Sequence, residues 1–252
     1  MSQYYTARRS QNLFSPESKE PFRLSRSKFD SFLKCPRCFY LDCRLGVAQP
    51  PGYPFSLNNA VDILLKKEFD IHRAKGTQHP LMKAYGLNLV PFQHEKMEEW
   101  RDSRRRGIRY LHDKTNFLVV GGIDDVWVSP DGEISIVDYK ATAQNKEITL
   151  DEEWKAGYKR QMEIYQWLFR KNGFKVSDTG YFVYCNGIFD KEAFDGKLEF
   201  NVKILPYKGD DSWVEKELIE ASKCLMQEKM PEPGKDCDFC EYGKAIKQVE
   251  PA

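Results

Sequence analysis

Asp124, Asp138 and Lys140 are the residues of this chain whose types and spacing best suit chemistry. Side chains alternate along a strand, so Asp138 and Lys140 point to the same face. Two carboxylates can hold a hard divalent cation such as Mg²⁺, and a nearby lysine can stabilise negative charge in a transition state. The three residues therefore suit metal-assisted hydrolysis of a phosphate ester, although a surface hairpin with ordinary charges would have the same composition.

A predicted hairpin brings these residues together. β-branched and aromatic residues fill 117–128 and 133–141, and the Ser-Pro-Asp-Gly sequence between them is typical of a tight turn. Pairing across a three-residue loop places Asp124 opposite Asp138. A bulge would shift the register by one residue and present Asp125 instead, which makes Asp125 a weaker candidate.

Four of the seven cysteines form two Cys-x-x-Cys pairs near opposite ends of the chain. These four are Cys35, Cys38, Cys237 and Cys240. Both thiolates of such a pair can reach one ion, so the spacing predicts a four-thiolate metal site that joins the N- and C-terminal segments. Thiolates suit both zinc and iron–sulfur clusters. Cys43 is an alternative to Cys38, whereas Cys185 and Cys224 are predicted to be buried apolar side chains.

Global composition excludes several classes of protein. The 252 residues carry 39 basic and 38 acidic side chains, and this balance gives no indication of a nucleic-acid partner. No apolar run is long enough for a membrane span, and residues 1–10 lack the apolar centre of a secretory signal, so we expect a cytoplasmic protein. The chain has no G-x-x-x-x-G-K-[ST] loop, which argues against ATP hydrolysis.

Local basic clusters are a better indication of a nucleic-acid partner than net charge. Residues 1–50 contain more basic than acidic side chains. A second cluster comprises Arg101, Arg104, Arg105, Arg106 and Arg109. Such clusters can follow a phosphate backbone, but many are only solvated faces.

The elements that must position these residues are helices and strands in mixed order. Helices are predicted from Ser25, with an interruption at Pro36, and over 57–72, 93–106, 154–171 and 212–228. The 57–72 helix carries an apolar stripe of Leu57, Val61, Leu64, Leu65 and Phe69. Further strands are predicted over 181–185 and 197–205, and a loop over 46–56. This order predicts an α/β sandwich around one mixed sheet. We expect a flexible arm over 1–22, a single domain over 23–245 and a tail over 246–252.

The order of the motifs resembles the PD-(D/E)XK nuclease superfamily. Gly122-Ile123-Asp124, followed by Val137-Asp138-Tyr139-Lys140, is similar to the second and third motifs of that superfamily. The next predicted helix carries Gln161-x-x-x-Tyr165, which is similar to the RecB-like branch with its CRISPR-associated exonucleases and AddB nuclease domain. Ser25–Phe29 and Cys35-Pro36 also resemble the start of this branch, so the resemblance spans about residues 24 to 243.

The resemblance implies a restriction-endonuclease-like mixed β-sheet flanked by helices, and a Mg²⁺- or Mn²⁺-dependent deoxyribonuclease, with exonuclease action expected. Asp124, Asp138 and the Tyr139 carbonyl would bind metal, and Lys140 would position the water. Gln161 and Tyr165 would support the site or the DNA. The branch often has a [4Fe-4S] cluster bound by one early and three late cysteines. This chain has two of each, which leaves Zn²⁺ as the alternative.

One position departs from the RecB-like pattern. Asp62 stands on the 57–72 helix where a metal-binding histidine is expected. A carboxylate can also ligate Mg²⁺ or Mn²⁺, so Asp62 is a candidate third ligand, or else a surface residue. Glu68 and His72 are lesser candidates.

The expected partner is DNA, as single strands or duplex ends, with a helicase or another DNA-processing protein as a further partner. DNA repair, recombination and CRISPR- or phage-related processing all fit this expectation. Two alternatives are a catalytically inactive module that binds nucleic acid or a partner protein, and an Fe–S redox-sensing DNA-binding protein.

Overall fold

The computed structural model describes residues 6–52 and 55–249. Residues 1–5 of the predicted arm, 53–54 of the predicted loop and 250–252 of the predicted tail lie outside the described residues. The chain divides into two units. The first comprises Met1–Tyr53, Tyr110–Val120 and Ser212–Ala252, and the second comprises Pro54–Arg109 and Gly121–Asp211.

The first unit contains a three-stranded sheet and four helices within the described residues. Its strands are β1 (Phe22–Ser25), β3 (Ile108–His112, which begins in the second unit) and β4 (Phe117–Gly121), in the order β1-β4-β3. Its helices are α1 (Arg26–Lys34), α2 (Pro36–Leu45), α7 (Val214–Met226) and α8 (Asp238–Val249). Residues 246–249 of the predicted tail are therefore helical.

Two predictions about the start of this unit are confirmed. The Ser25 side chain accepts a hydrogen bond from the Lys28 N–H and caps α1. Pro36 interrupts the helical run, because proline has no N–H to donate, and it is the first residue of α2. Cys35, between the two helices, caps α2 through its sulfur.

The second unit is built on a five-stranded mixed sheet. Its strands are β2 (Val90–Pro91), β5 (Asp125–Val128), β6 (Ile134–Thr142), β7 (Thr179–Gly187) and β8 (Phe200–Lys208), in the order β2-β5-β6-β7-β8. Its helices are α3 (Ser56–Lys75), α4 (Pro80–Ala84), α5 (Met97–Arg101) and α6 (Ala156–Lys171), with a short 3-10 turn over Glu153–Lys155. Strand β6 is parallel to β7, and the other pairs are antiparallel. Helix α6 makes the crossover that this parallel pair requires.

The single strand predicted over 117–128 is wrong. It is two strands in different sheets, β4 and β5, so the predicted single sheet is also two sheets. The break follows Gly121, where a Cβ atom at Gly122 would overlap the backbone and Cβ of Ser103. No side chain would fit at Gly122, where the chain passes from one sheet to the other.

Two predicted helices also need correction. The helix predicted over 93–106 is only α5, because the Asp102 side chain accepts the Arg105 N–H and competes with continuation of the helix. The apolar stripe predicted on α3 is buried only in part. Leu65 and Phe69 are buried, but Leu57 and Leu64 are exposed. The sheet selects one helix face, and these two residues lie outside it.

One hydrophobic core cluster of the second unit lies on one face of its sheet. Trp127, Val137, Tyr139 and Val183 pack there against Phe69 of α3. Residues at alternate positions of β6 point to the other face. None of the helices in the described residues is both long enough and apolar enough to span a bilayer.

Candidate functional site

The register of β5 and β6 brings the two predicted catalytic aspartates together. Asp125 and Val137 are the last pair of an antiparallel ladder, and the same register continued by one residue places Asp124 opposite Asp138, as predicted. Gly132 adopts φ 80° in the connecting turn, which is the left-handed conformation that glycine favours. The bulged register is wrong, so Asp124 faces Asp138.

Asp138 and Lys140 lie on the same face of β6, as their spacing predicts. The Lys140 ammonium forms an ion pair with Asp138 Oδ2. It also lies 4.5 Å from the centroid of the Tyr158 ring, in a cation–π contact. Burial alone would lower the pKa of Lys140, but the charges of Asp138 and Asp124 outweigh burial and raise it. Lys140 is therefore a stable cation beside the carboxylates.

Helix α6 delivers Gln161 and Tyr165 to Asp138. Gln161 Nε2 donates to Asp138 Oδ1 at 2.7 Å and lies 3.3 Å from the Tyr165 hydroxyl. The two residues share a helix face because they are four apart. Both oxygens of the buried Asp138 carboxylate are thus contacted, one by an amide and one by an ammonium.

Asp124 is held at three points. Its Oδ2 accepts the Tyr139 N–H at 2.9 Å, and its Oδ1 lies 3.1 Å from the Lys66 ammonium. Arg101 Nε donates to the Asp124 backbone carbonyl at 3.0 Å. These contacts fix both the carboxylate and the main chain immediately before β5.

Asp62 lies beside Asp124, and Lys66 bridges the two. The Lys66 ammonium is 2.7 Å from Asp62 Oδ2, one helical turn away on α3. Burial, and then the negative charge of Asp124, raise the pKa of Asp62. Burial would lower the pKa of Lys66, but Asp124 and Asp62 together raise it. Helix α3 therefore contributes a cation, Lys66, to the site in addition to the predicted carboxylate, Asp62.

Asp125 lies on the opposite face of the sheet from Asp138. It is fully buried, accepts the Tyr139 hydroxyl at 2.7 Å, and forms ion pairs with Arg73 and Arg101. Asp125, the weaker candidate, is therefore a buried structural anion on the core side of the sheet.

Glu68 and His72 have partners elsewhere on or beside α3. Glu68 Oε1 lies 2.8 Å from His79 Nε2, and His72 Nδ1 lies 3.1 Å from the Thr77 hydroxyl. Both contacts connect α3 to the segment that follows it, and not to the aspartates of the site.

Sequence reasoning missed Lys66, Arg101 and Tyr158. The spacing of Asp62 and Lys66 was a signal, because an aspartate and a lysine four residues apart pair on a helix. Arg101 belongs to the arginine cluster that could either follow a phosphate backbone or form a solvated face, and it instead contacts Asp70, Asp125 and the Asp124 carbonyl.

The remaining arginines of that cluster lie near the surface. Arg106 pairs with Asp102, and Arg109 pairs with Glu99. Arg104 and Arg105 are exposed. Arg104, Arg105, Arg106 and Arg109 are thus all exposed members of the cluster.

The four predicted cysteines converge in the first unit. Their sulfur atoms all lie within 4.8 Å of one another, and no other set of three or more His, Cys, Asp or Glu side chains converges in this way among the described residues. Three of the Sγ–Sγ distances are 3.5, 3.7 and 3.7 Å: Cys38 to Cys237, Cys35 to Cys240 and Cys38 to Cys240. A tetrahedral ion with metal–sulfur bonds of about 2.3 Å requires sulfurs about 3.8 Å apart. The thiol set therefore fits a metal.

Two of these thiols have pKa values shifted in opposite directions. Burial would raise the pKa of Cys35, but hydrogen bonds from the Gly234 and Cys38 N–H groups lower it to about 7. Burial raises the pKa of Cys38 to about 11. Cys43 is fully buried outside the quartet, and Cys185 and Cys224 are buried as predicted.

The residue types around Asp124 suit a hard cation, although Asp62, Asp124 and Asp138 do not bring their ligand atoms together as the cysteine quartet does among the described residues. Asp62, Asp124 and Asp138 supply carboxylate oxygens, the ligands that Mg²⁺ and Mn²⁺ prefer. The Lys66 ammonium, however, already lies between two of these carboxylates. A divalent ion bound by Asp62 and Asp124 would therefore compete with Lys66 for their carboxylate oxygens.

The chain belongs to the PD-(D/E)XK nuclease superfamily, whose family model matches residues 23–245. Membership implies a nuclease fold, DNA as the substrate and the use of divalent metals. No curated protein matches the chain in sequence. Among solved structures, the crystal structure of SSO0001 is similar at 13% identity and a TM-score of 0.38, and the match covers 90% of this chain and 87% of that one.

Proposed function

We propose that the protein is a Mg²⁺- or Mn²⁺-dependent deoxyribonuclease of the RecB-like branch, acting as an exonuclease on DNA ends. The observation that carries this proposal is the convergence on Asp138, whose two oxygens contact Lys140 and Gln161. Asp124, across the strand pair, provides the second carboxylate.

Asp124 and Asp138 would hold the divalent ion, with Asp62 as a third ligand and the Tyr139 carbonyl as a further one by resemblance. A bound ion would supply a water of lowered pKa and polarise the phosphate. Lys140 orients the attacking water and balances the negative charge that develops on the phosphate.

Three neighbours preorganise these groups. Gln161 holds the Asp138 carboxylate, Tyr165 lies within hydrogen-bonding distance of Gln161, and the Tyr158 ring holds the Lys140 ammonium. Charged groups fixed before the reaction need not reorganise during it. We place such an enzyme in the cytoplasm, in DNA repair, recombination or CRISPR- or phage-related processing, with a helicase as a candidate partner.

We further propose that the cysteine quartet holds a structural metal. The observed sulfur distances favour one tetrahedral ion such as Zn²⁺. A [4Fe-4S] cluster, which the RecB-like resemblance implies, has one iron per thiolate and would require wider separation of the sulfurs. An Fe–S redox sensor would require that cluster.

The second candidate function is a module that binds DNA or a partner protein without cleaving it. The ammonium of Lys66 between Asp62 and Asp124 favours this candidate, because it opposes metal binding. Metal-dependent turnover by the purified protein would exclude it.

The test is a Mn²⁺-dependent assay on end-labelled single-stranded, duplex and flapped DNA with Lys140→Ala. We expect cleavage to fall at least 100-fold, in line with the loss of a positioned proton-handling or charge-stabilising group. Lys175→Ala, an exposed lysine paired with Asp131 at the hairpin turn, is the matched control and should retain activity. Circular dichroism would verify both folds. Full activity of Lys140→Ala would remove the central assignment.

A further inference from the structure

The ammonium of Lys66 bridges two carboxylates that the proposed function assigns to metal binding. It lies 2.7 Å from Asp62 Oδ2 and 3.1 Å from Asp124 Oδ1, which are ion-pair distances to two carboxylates from different elements. The side chain of Lys66 is 22% exposed, so its charge is largely shielded from solvent. A divalent ion ligated by Asp62 Oδ2 and Asp124 Oδ1 would compete with this ammonium for the same two oxygens.

The α3 helix holds Lys66 in this position. Leu65, the preceding residue, and Phe69, three residues on, are buried in the core of the second unit. Their burial fixes the rotation of the helix, and the four-residue spacing places Lys66 over Asp62. The ammonium is therefore directed to the carboxylates by the fold rather than by a mobile surface chain.

The charge balance of the site shows the consequence. Asp62, Asp124 and Asp138 contribute three negative charges, and Lys66 and Lys140 contribute two positive ones, which leaves −1. Removal of the Lys66 charge would leave −2, which one divalent cation balances. A like charge close to a divalent ion is costly in a partly desolvated site.

We propose that Lys66 is a built-in competitor for the divalent ion, so that metal enters between Asp62 and Asp124 only when the ammonium leaves. This inference rests on the proposed metal-dependent function and adds a residue that sets metal affinity. Lys66 would act by setting the affinity for metal, so it is not a catalytic residue. The wild-type protein should therefore bind Mn²⁺ weakly in the absence of DNA.

The test is a Mn²⁺ titration of the full-length protein without DNA, followed by the electron paramagnetic resonance signal of free Mn²⁺. Lys66→Met should bind Mn²⁺ at least about tenfold more tightly than the wild type, which corresponds to about 1.4 kcal/mol. Lys66→Arg keeps the charge and should bind as weakly as the wild type. Lys67→Met, at the exposed neighbouring lysine on the same helix, is the matched control and should leave the affinity unchanged.

Thermal unfolding gives an independent measurement. Loss of Lys66 leaves Asp62 and Asp124 to repel each other, so metal-free Lys66→Met should melt below the wild type, and Mn²⁺ should raise its Tm by more than that of the wild type. If Lys66→Met does not fold, Lys66→Gln, which keeps a hydrogen-bond donor but no charge, provides the same comparison.

Asp124→Asn separates the two hypotheses. If this variant loses Mn²⁺ binding while Lys66→Met and Lys66→Gln bind no more tightly than the wild type, the role of Lys66 is overturned and the metal site stands. If Asp124→Asn binds Mn²⁺ as the wild type does, the proposed metal site fails, and the inference about Lys66 fails with it.

Discussion

Adjacent residues have opposite environments at this site. Asp124 points to the face that carries Asp138 and Lys140, and Asp125 points into the core beneath it. The pleat of the strand causes this difference, because successive side chains alternate between faces. One carboxylate remains accessible for chemistry, while its neighbour is neutralised by Arg73 and Arg101.

We predict that Asp125→Asn destabilises the protein by about 3–5 kcal/mol, because it removes the fully buried anion that Arg73 and Arg101 share and leaves them only the partly exposed Asp70. Urea unfolding followed by tryptophan fluorescence measures the loss. Asp124→Asn is the matched control: its amide oxygen can still accept the Tyr139 N–H, so its stability should change by less than about 1 kcal/mol. Equal losses in the two variants would contradict this division of roles.

At the scale of elements, the functional groups come from three parts of the second unit: the β5–β6 strand pair, α6 and α3. Strands β5 and β6 bring Asp124 and Asp138 together through a local turn, while α6 adds Gln161 through its crossover. Helix α3 adds Asp62 and Lys66. The paired strands form the base of the site, and the helices determine which side chains reach it.

In the first unit, the cysteine quartet links the start of α2 to the start of α8. Cys38→Ser should reduce bound metal to well below one site per chain and lower the Tm, because three thiolates bind a structural metal less well than four. Metal analysis by plasma mass spectrometry, with an absorption spectrum of anaerobically purified protein, distinguishes Zn²⁺ from an Fe–S cluster.

Cys185→Ser is the control for that measurement. Cys185 is buried on β7 outside the quartet, so its substitution should affect stability without removing metal. Unchanged metal content in Cys38→Ser would show that Cys38 is not a ligand.

At the scale of the whole molecule, the near-neutral net charge does not show where the charged side chains lie. Basic and acidic side chains are nearly equal in number, and several arginines are used within the fold rather than at its surface. Arg73 and Arg101, for example, share Asp70 and Asp125. Charge totals therefore say little about the surface that meets DNA.

This ion-pair network predicts how stability depends on pH. Burial would raise the pKa of Asp70, but hydrogen bonds from Arg101 and Arg73 lower it below its usual value. A lowered pKa means that the ionised form stabilises the fold above the unfolded pKa of about 4, and that this stabilisation is lost as the pH falls through the lowered value. The Tm difference between wild type and Asp70→Asn should be large at pH 7 and shrink below about pH 4.

Asp190→Asn is the control for the pH series, because Asp190 is an exposed carboxylate in the same unit. Its Tm should follow that of the wild type at every pH. A constant difference between wild type and Asp70→Asn across the series would show that the charge of Asp70 does not contribute to stability.

Features that depend on neighbouring residues could be predicted from the sequence alone. The Ser25 cap, the interruption at Pro36, the register that pairs Asp124 with Asp138, and the Cys-x-x-Cys pairs all follow from local chemistry. The order of the nuclease motifs indicated the superfamily for the same reason, since each motif is a short segment with its own pattern.

Only the tertiary structure decided the features that depend on distant contacts. The break after Gly121 lies where Ser103 packs against the backbone of Gly122, and the exposure of Leu64 follows from the face of α3 that the sheet covers. Lys66 is 58 residues from Asp124, so no local pattern could place its ammonium there. The sequence determines the chemistry of each side chain. Which charged groups contact each other depends on packing between segments that are far apart along the chain.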